Sequence, residues 1–371
     1  MDYKKRWLTY SSKNLIRNII GGQTLMYAVK HLKKSMCTLV ALSMLTLTGG
    51  TPAVEAGTIK MKFSQQNNVY DADQLLAETF KQLLEKRTDG GVKVSIYPGT
   101  LTTSEEEAME FVKSGTVDVD TNSAGHLAGF YEDIQFLQLP YLFKSPAHYN
   151  VARQSGVVKN ILAELEKATG LIALGIYSDC NGFAIASTKP INSIEDAKGT
   201  KLRCMQNPLF VDIYSQFGFT VTPTDWGELY TSLQTGLVDA DDLGVYCNNI
   251  FKMSEVVKNY AILRQMWTQK VVFISPKTWS KLSVEQQEIV RSVANEAIEL
   301  TDAWQYAREA EVIEKVKAEG GNVTYPDTTP FKKASEKVYE KWFANKPHWK
   351  AWYDEIQYLD PQARMPKAYK K

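Results

Sequence analysis

Lys201–Asp242 reads KLRCMQNPLFVDIYSQFGFTVTPTDWGELYTSLQTGLVDADD. It opens on a short strand-like run ending near Arg203, continues through an amphipathic helical stretch, and reaches a second apolar run, FTVTP. Asp225 and Glu228 then stand in capping-box spacing ahead of Trp226, Leu229, Tyr230 and Leu233, which follow i, i+3, i+4, i+7, and Gly236 ends the pattern. Strand, helix, strand, helix in so short a span is the signature of an α/β layer. An arginine at a strand end and an aromatic at a helix start suit a groove that holds an anion against a flat wall. Taken alone, such a pair is more often a surface ion pair and a core tryptophan.

Working outward, the chain alternates strand and helix signals from Ile59 onward. IKMKFS reads as a strand, and Asp73 to Lys86 carries Leu75, Leu76, Phe80, Leu83 and Leu84 at helical spacing. VKVSIYP is a second strand, Ser104 to Ser114 a second helix capped by Ser104 with Glu107, and VDVDTNS a third strand. This order predicts a parallel sheet with ligands at the carboxyl ends of its strands, where Gln65, Gln66, Asn67, Asn68, Asn122 and Ser123 fall. Loop asparagines also serve as turn formers. LIALGIYSD is another buried strand, and Ser193 with Asp196 marks a further cap. From Ser283, boxed with Gln286, one helical pattern runs to Gly320; some 35 residues would span roughly 50 Å. The tail after it, rich in Trp, Tyr and Lys, is expected to pack as helices on one lobe.

The 371 residues carry a net charge of +1, with no basic tract interleaved with aromatics, which argues against a nucleic-acid partner. Lys30, Lys33 and Lys34 precede the apolar run Met36 to Gly50, and Val54-Glu55-Ala56 offers a small-residue cleavage site. Residues 1–56 are therefore expected to be an N-terminal extension and signal peptide, with Gly57 the first mature residue. A buried N-terminal helix is the alternative. Cys37 stands at the front of the apolar run, not after it as a lipid-anchor cysteine would. Of the remaining Cys180, Cys204 and Cys247, an odd set without metal spacing, small buried thiols are favoured over a single disulfide.

No GxSxG, HExxH, phosphate loop or GxGxxG occurs. His126, His148 and His348 are far apart; His148 follows a loop and is expected to be exposed, and His126 to line a cleft. The carboxylates Asp239, Asp241 and Asp242 cluster, and such a group binds a cation, polarises a water or solvates a loop.

KGTKLR (Lys198 to Arg203), Thr222-Pro223 followed by WGELYTSLQTGLVD (Trp226 to Asp239), and the earlier LPYLF (Leu139 to Phe143) resemble, in order and spacing, blocks of the DctP-like solute-binding subunits of tripartite ATP-independent periplasmic (TRAP) transporters. The resemblance extends from about Ile59 to about Glu340. It implies a two-lobed α/β periplasmic binding-protein-like fold, with a hinge and a long helix crossing both lobes. Residues 57–180 plus 269–305 would form lobe I, and 181–268 plus 306–371 lobe II, the chain crossing near the Asn181-Gly182-Phe183 segment and again near Met266 to Ser275. The implied function is an extracytoplasmic, periplasmic receptor, not an enzyme. It would capture a small organic anion, such as isethionate or a hydroxy acid, for a membrane transporter, as a monomer without cofactor or metal.

On that resemblance Arg203 presents a donor fork to a carboxylate or sulfonate, and Trp226 stacks on the apolar part. Asn122, Gln66, Asp242 and Gln269 meet polar groups, and Phe183 forms part of the wall. Sialate-binding members carry a second arginine where this chain has Phe183-Ala184, many have an asparagine at Leu243, and some have glutamate at Asn122. Fewer charged contacts imply a smaller, less charged ligand than sialate. A secreted metal-dependent α/β enzyme using Asp239 to Asp242 is the competing reading.

Overall fold

Short runs buried along most of their length set most of the strands, and capped, apolar-striped segments set the helices between them. The structure, a computed structural model, describes residues 58–65, 72–102, 104–179 and 184–360. The signal segment, Gln66, Asn67, Asn68, Cys180 and Phe183 lie outside the described residues. Residues from Lys60 onward form one compact unit.

The first half runs β1 (Ile59–Gln65), α1 (Ala72–Arg87), β2 (Val92–Pro98), α2 (Glu105–Ser114), β3 (Val119–Ser123), α3 (Ala124–Leu127), a 3-10 segment Glu132–Gln138, α4 (Pro146–Ala152), α5 (Gly156–Thr169) and β4 (Ile172–Ser178). Next come β5 (Ala184–Ser187), β6 (Lys201–Cys204), α6 (Pro208–Gln216), β7 (Thr220–Pro223), a 3-10 turn Trp226–Glu228, α7 (Leu229–Gln234), β8 (Ala240–Asp241), α8 (Val245–Ile250) and β9 (Asn259–Ile262). The chain closes with β10 (Gln269–Ile274), α9 (Pro276–Trp279), α10 (Val284–Ala318), β11 (Asn322–Thr324), α11 (Thr329–Asn345) and α12 (Pro347–Tyr358).

Two sheets result, ordered β2-β1-β3-β10-β4 and β11-β9-β5-β8-β6-β7. The chain leaves the first sheet after β4 and returns to it at β10. Because it returns from the other sheet, β10 enters antiparallel to both β3 and β4, so the expected parallel sheet is mixed. β1 and β3 remain parallel, as do β6 with β7 and with β8.

The expected long helix is α10, of 35 residues, opened by the Ser283/Gln286 capping box. It packs on α1 and β4 of one sheet and on α8 and β11 of the other. Gly175 brings strand and helix close: a Cβ there would lie 2.8 Å from Ile298 Cδ1. Where the chain leaves the first sheet, Asp302 Oδ1 accepts the Ser178 amide at 2.8 Å and Gln305 Nε2 donates to the Ser178 carbonyl. The helix therefore grips the last residue of β4.

Several expectations change in three dimensions. The tail does not keep to one side. Trp342 Nε1 and Lys341 Nζ of α11 donate to Asp212 of α6 at 2.9 and 2.7 Å, while Trp349 Nε1 of α12 donates to Asp133 at 3.0 Å in the segment after α3. His148 is fully buried because α12 folds over it; Nε2 meets the Ile356 carbonyl at 2.8 Å and Nδ1 accepts the Lys144 amide. Cys204 is a free buried thiol, but Cys247 is disulfide-bonded, so the reading of all three as thiols holds only in part.

Candidate functional site

Strand direction places the carboxyl ends of β3 and β6 at one seam between the sheets. There Asn207 Nδ2, at the cap of α6, donates to the Gly125 carbonyl of α3 at 3.4 Å. A Cβ on Gly125 would lie 2.3 Å from Met205 Sδ, so the absence of a side chain lets the thioether sit against the helix.

On the β6 side, Arg203 is only 4% exposed. Its Nε and Nη2 both donate to the Thr224 carbonyl, at 3.0 and 2.7 Å, which fixes the guanidinium plane. No carboxylate of the described residues lies within 4.0 Å of it, although Asp241 is its register partner across β8. Arg203 is thus a buried cation fixed by a carbonyl, with the carboxyls of Asp242 and Asp241 acting on it electrostatically from beyond contact distance.

Two residues beyond Thr224, Trp226 packs edge-on against Phe251, ring centroids 4.9 Å apart, and stays 43% exposed. The expected capped helix begins instead as the tight 3-10 turn Trp226–Glu228, because the Asp225 side chain makes no cap bond.

The acidic residues separate. Asp239 binds the Lys201 amide at 3.1 Å. Asp241 Oδ1 accepts from Leu243 N at 2.9 Å and Asn248 Nδ2 at 3.1 Å, while Asp242 Oδ2 is buried without a hydrogen-bond partner among the described residues. Strand alternation turns neighbouring side chains to opposite faces, and among the described residues no three His, Cys, Asp or Glu are grouped to hold a metal. Burial pushes Asp241 up to about 7 and Asp242 up to about 6, each partly offset by Arg203 and hydrogen bonds.

Across the seam, Asn122 is buried and spends its Nδ2 donor on the Glu105 carbonyl at 2.9 Å, leaving only Oδ1 without a partner. Gln269 is buried too, its Nε2 donating to the Leu137 carbonyl at 3.1 Å. Both residues therefore brace backbone as placed. Gln66 and Phe183 fall outside the described residues.

Sequence reasoning missed two clusters here. Glu105 takes the Ser123 amide and hydroxyl at 2.9 and 2.7 Å, and His126 Nδ1 lies 3.4 Å from Glu106. Lys270, the register partner of Ser123, is a second buried cation, neutralised by Asp73 at 2.9 Å and Asp179 at 3.3 Å. The acidic run Glu105-Glu106-Glu107 was visible as a helix start, and Lys270 as a charge inside an apolar run. Neither pattern by itself indicates a site.

The buried acids make a pH prediction. Asp241 and Asp242 are joined by Asp302 and Glu309 at about 7 and Asp120 at about 8, all raised chiefly by burial. A carboxyl whose folded pKa exceeds its unfolded one contributes most when protonated, and that contribution is lost as pH rises through the folded value. Between pH 8.5 and 6.5 the melting temperature of the ligand-free protein should rise as pH falls. Further acidification works against buried His148, whose pKa burial lowers. Calorimetric scans across this window check it; a melting temperature that climbs with pH contradicts it.

Comparison with known proteins adds the following. The family profile described as bacterial extracellular solute-binding protein, family 7 (DctP), matches residues 63–346. The sialic acid-binding periplasmic protein SiaP of Vibrio cholerae is 28% identical over 309 residues, 82% of this chain and 94% of that protein. A TRAP periplasmic solute-binding protein of Pseudomonas putida F1, solved with bound D-glucuronate, superposes with a TM-score of 0.75 at 26% identity, over 81% of this chain and 98% of that one. One from a Polaromonas species, bound to D-erythronate, gives the same TM-score and identity, 0.75 and 26%, over 81% and 99% of the two chains.

Proposed function

The chain belongs to the DctP family of bacterial extracellular solute-binding proteins, and from that premise we propose that it captures a small hydroxylated monoanion outside the cytoplasm and delivers it to the membrane subunits of a TRAP transporter. The observation that carries this reading is Arg203, buried, aligned by the Thr224 carbonyl and without a contact carboxylate. A ligand carboxylate or sulfonate would supply the missing anion in two parallel bonds.

We place lobe I at residues 57–180 plus 269–305 and lobe II at 181–268 plus 306–371, hinged where the chain passes between the sheets. Trp226 would close on the ligand's apolar face, with Asn122 Oδ1 and Asp242 offering acceptors to its hydroxyls. Gln66 and Phe183 are proposed as further contacts, and Gln269 as a brace behind them. Closure about the hinge would then be what the membrane partner distinguishes. The chain would work as a monomer, with its signal segment cleaved near Ala56.

The charge inventory sets the ligand class. Lys270 is already balanced by Asp73 and Asp179, whereas Arg203 has no carboxylate in contact and offsets Asp241 and Asp242 only at longer range, so it can pair one ligand charge. A second carboxylate would enter near Asp241 and Asp242, and an unpaired buried charge costs several kcal/mol. That cancels much of the roughly 8 kcal/mol of a micromolar complex. The relatives bound to D-glucuronate and D-erythronate hold monoanions bearing hydroxyls, which fits the same balance. Calorimetry against hydroxy acids, isethionate, amino acids and dicarboxylates tests it. Hydroxylated monoanions should bind tightest; succinate or malate binding tightest without a metal would overturn the proposal.

The competing reading, a metal-dependent enzyme on the Asp239–Asp242 run, is disfavoured because Asp239 and Asp241 serve separate backbone and side-chain partners and, among the described residues, no three such groups are placed to hold a metal. The family is one of solute receptors.

A further inference from the structure

Gln138 closes the 3-10 segment Glu132–Gln138, immediately before the Leu139-Pro140-Tyr141 turn. It is 0% exposed, yet neither Oε1 nor Nε2 of its side chain has a hydrogen-bond partner among the described residues. Buried polar groups are nearly always paired, and an amide leaving both its donor and its acceptor unpaired is rare in a native core.

Its position gives the amide a target. Nε2 lies 3.8 Å from where a Cβ on Gly125 would stand, and Met205 Sδ lies 2.3 Å from that same point. Gln138 therefore reaches the seam where the carboxyl end of β3 meets that of β6. Met205 stands two residues beyond Arg203, immediately after the strand that carries it.

The backbone around Gln138 is fixed from the segment between the sheets. Gln269 Nε2 holds the Leu137 carbonyl at 3.1 Å, and the Tyr141 amide donates to the Gln265 carbonyl at 2.7 Å. The amide is thus presented by a braced loop, not by a loose one.

We infer that Gln138 is a specificity-determining residue of the closed cleft, its amide recognising a hydroxyl of the bound anion. The inference rests on the proposed receptor function and narrows its ligand. A hydroxyl donates to Oε1 and accepts from Nε2–H, satisfying both atoms at once. A second carboxylate offers no donor and would face Oε1 oxygen to oxygen, and an alkyl chain satisfies neither. The site selects hydroxylated acids over alkyl acids of equal charge and length.

The test uses the full mature chain and two matched pairs, D-erythronate with butyrate and D-gluconate with hexanoate, titrated calorimetrically into the parent, Gln138→Leu, Gln138→Met and Arg203→Ala. The parent should favour each hydroxy acid. Gln138→Leu and Gln138→Met should weaken the hydroxy acids by about 10- to 100-fold and leave the alkyl acids within about threefold. Without ligand, the Leu and Met variants should melt at or above the parent, because an unpaired buried amide has been removed.

An unchanged hydroxy-to-alkyl ratio, with Arg203→Ala still abolishing binding, overturns the role of Gln138 alone. Lower melting of both the Leu and Met variants also overturns it, since that would mean the amide serves the core. Failure of the parent to bind either hydroxy acid overturns both this inference and the reading beneath it. Binding that survives Arg203→Ala while Gln138→Leu erases hydroxyl preference overturns only the arginine anchor.

Discussion

Arg203→Ala should reduce affinity for the best-binding hydroxy acid by roughly 30-fold to several-thousand-fold, while far-ultraviolet circular dichroism stays that of the parent. The range converts a loss of about 2–5 kcal/mol, typical when one partner of a buried, hydrogen-bonded charge pair is truncated. Inside the protein Arg203 gives up only its two bonds to the Thr224 carbonyl, so the fold has other support. What would disappear is the proposed fork for the ligand anion, and with it the positive charge that offsets Asp241 and Asp242. Arg203→Lys separates charge from geometry. It keeps the cation but not the two parallel donors, and should fall between parent and alanine. If calorimetry finds Arg203→Ala as tight as the parent, the anion is held elsewhere.

Trp349→Ala should produce the largest loss of stability among single changes in the tail, about 3–5 kcal/mol. Trp349 is fully buried, stacks on Trp342 at 5.3 Å with 7° between planes, and meets Phe136 edge-on at 5.7 Å. Its Nε1 donates to Asp133, which Lys346 and His348 also contact at 3.2 and 2.8 Å. Alanine leaves a cavity and removes the join between α11, which is held by α6, and the segment Glu132–Gln138. Against a total stability on the order of 5–15 kcal/mol, that loss should lower the melting temperature by roughly 5–15 °C. Trp349→Phe keeps a ring in the stack and loses only the indole donor, so it should cost less than half as much. Equal melting temperatures for parent and Trp349→Ala would show that the tail contributes little to joining the two sides.

Much of the architecture can be read from local pattern because its causes are local. The Ser283/Gln286 box, the unbroken apolar stripe behind it and the glycine pair after Ala318 are enough to define a 35-residue helix. Strand and helix alternation from Ile59 predicts an α/β chain, and blocks such as LPYLF and WGELYTSLQTGLVD identify the family, as the match over residues 63–346 bears out. Arg203 stood out for the same reason: a charged residue at the end of an apolar strand is an anomaly that periodicity makes visible.

Tertiary structure decided what periodicity does not encode, namely which side chain ends up facing which. The antiparallel entry of β10 follows from the chain's return across two sheets, and burial of His148 from α12 folding back over 200 positions away in sequence. Asn122 and Gln269 are polar at strand ends, yet their donors are spent on backbone carbonyls of Glu105 and Leu137. Gln138 is the converse. As one glutamine in an apolar run it carries no sequence signal, and only the approach of Gly125 and Met205 makes its unpaired amide conspicuous. Composition and spacing determined the layers and the long helix, because each depends on neighbours along the chain. Partnering at the seam depends on residues brought together from two sheets, and a polar group's role there is set by whether those partners leave it satisfied.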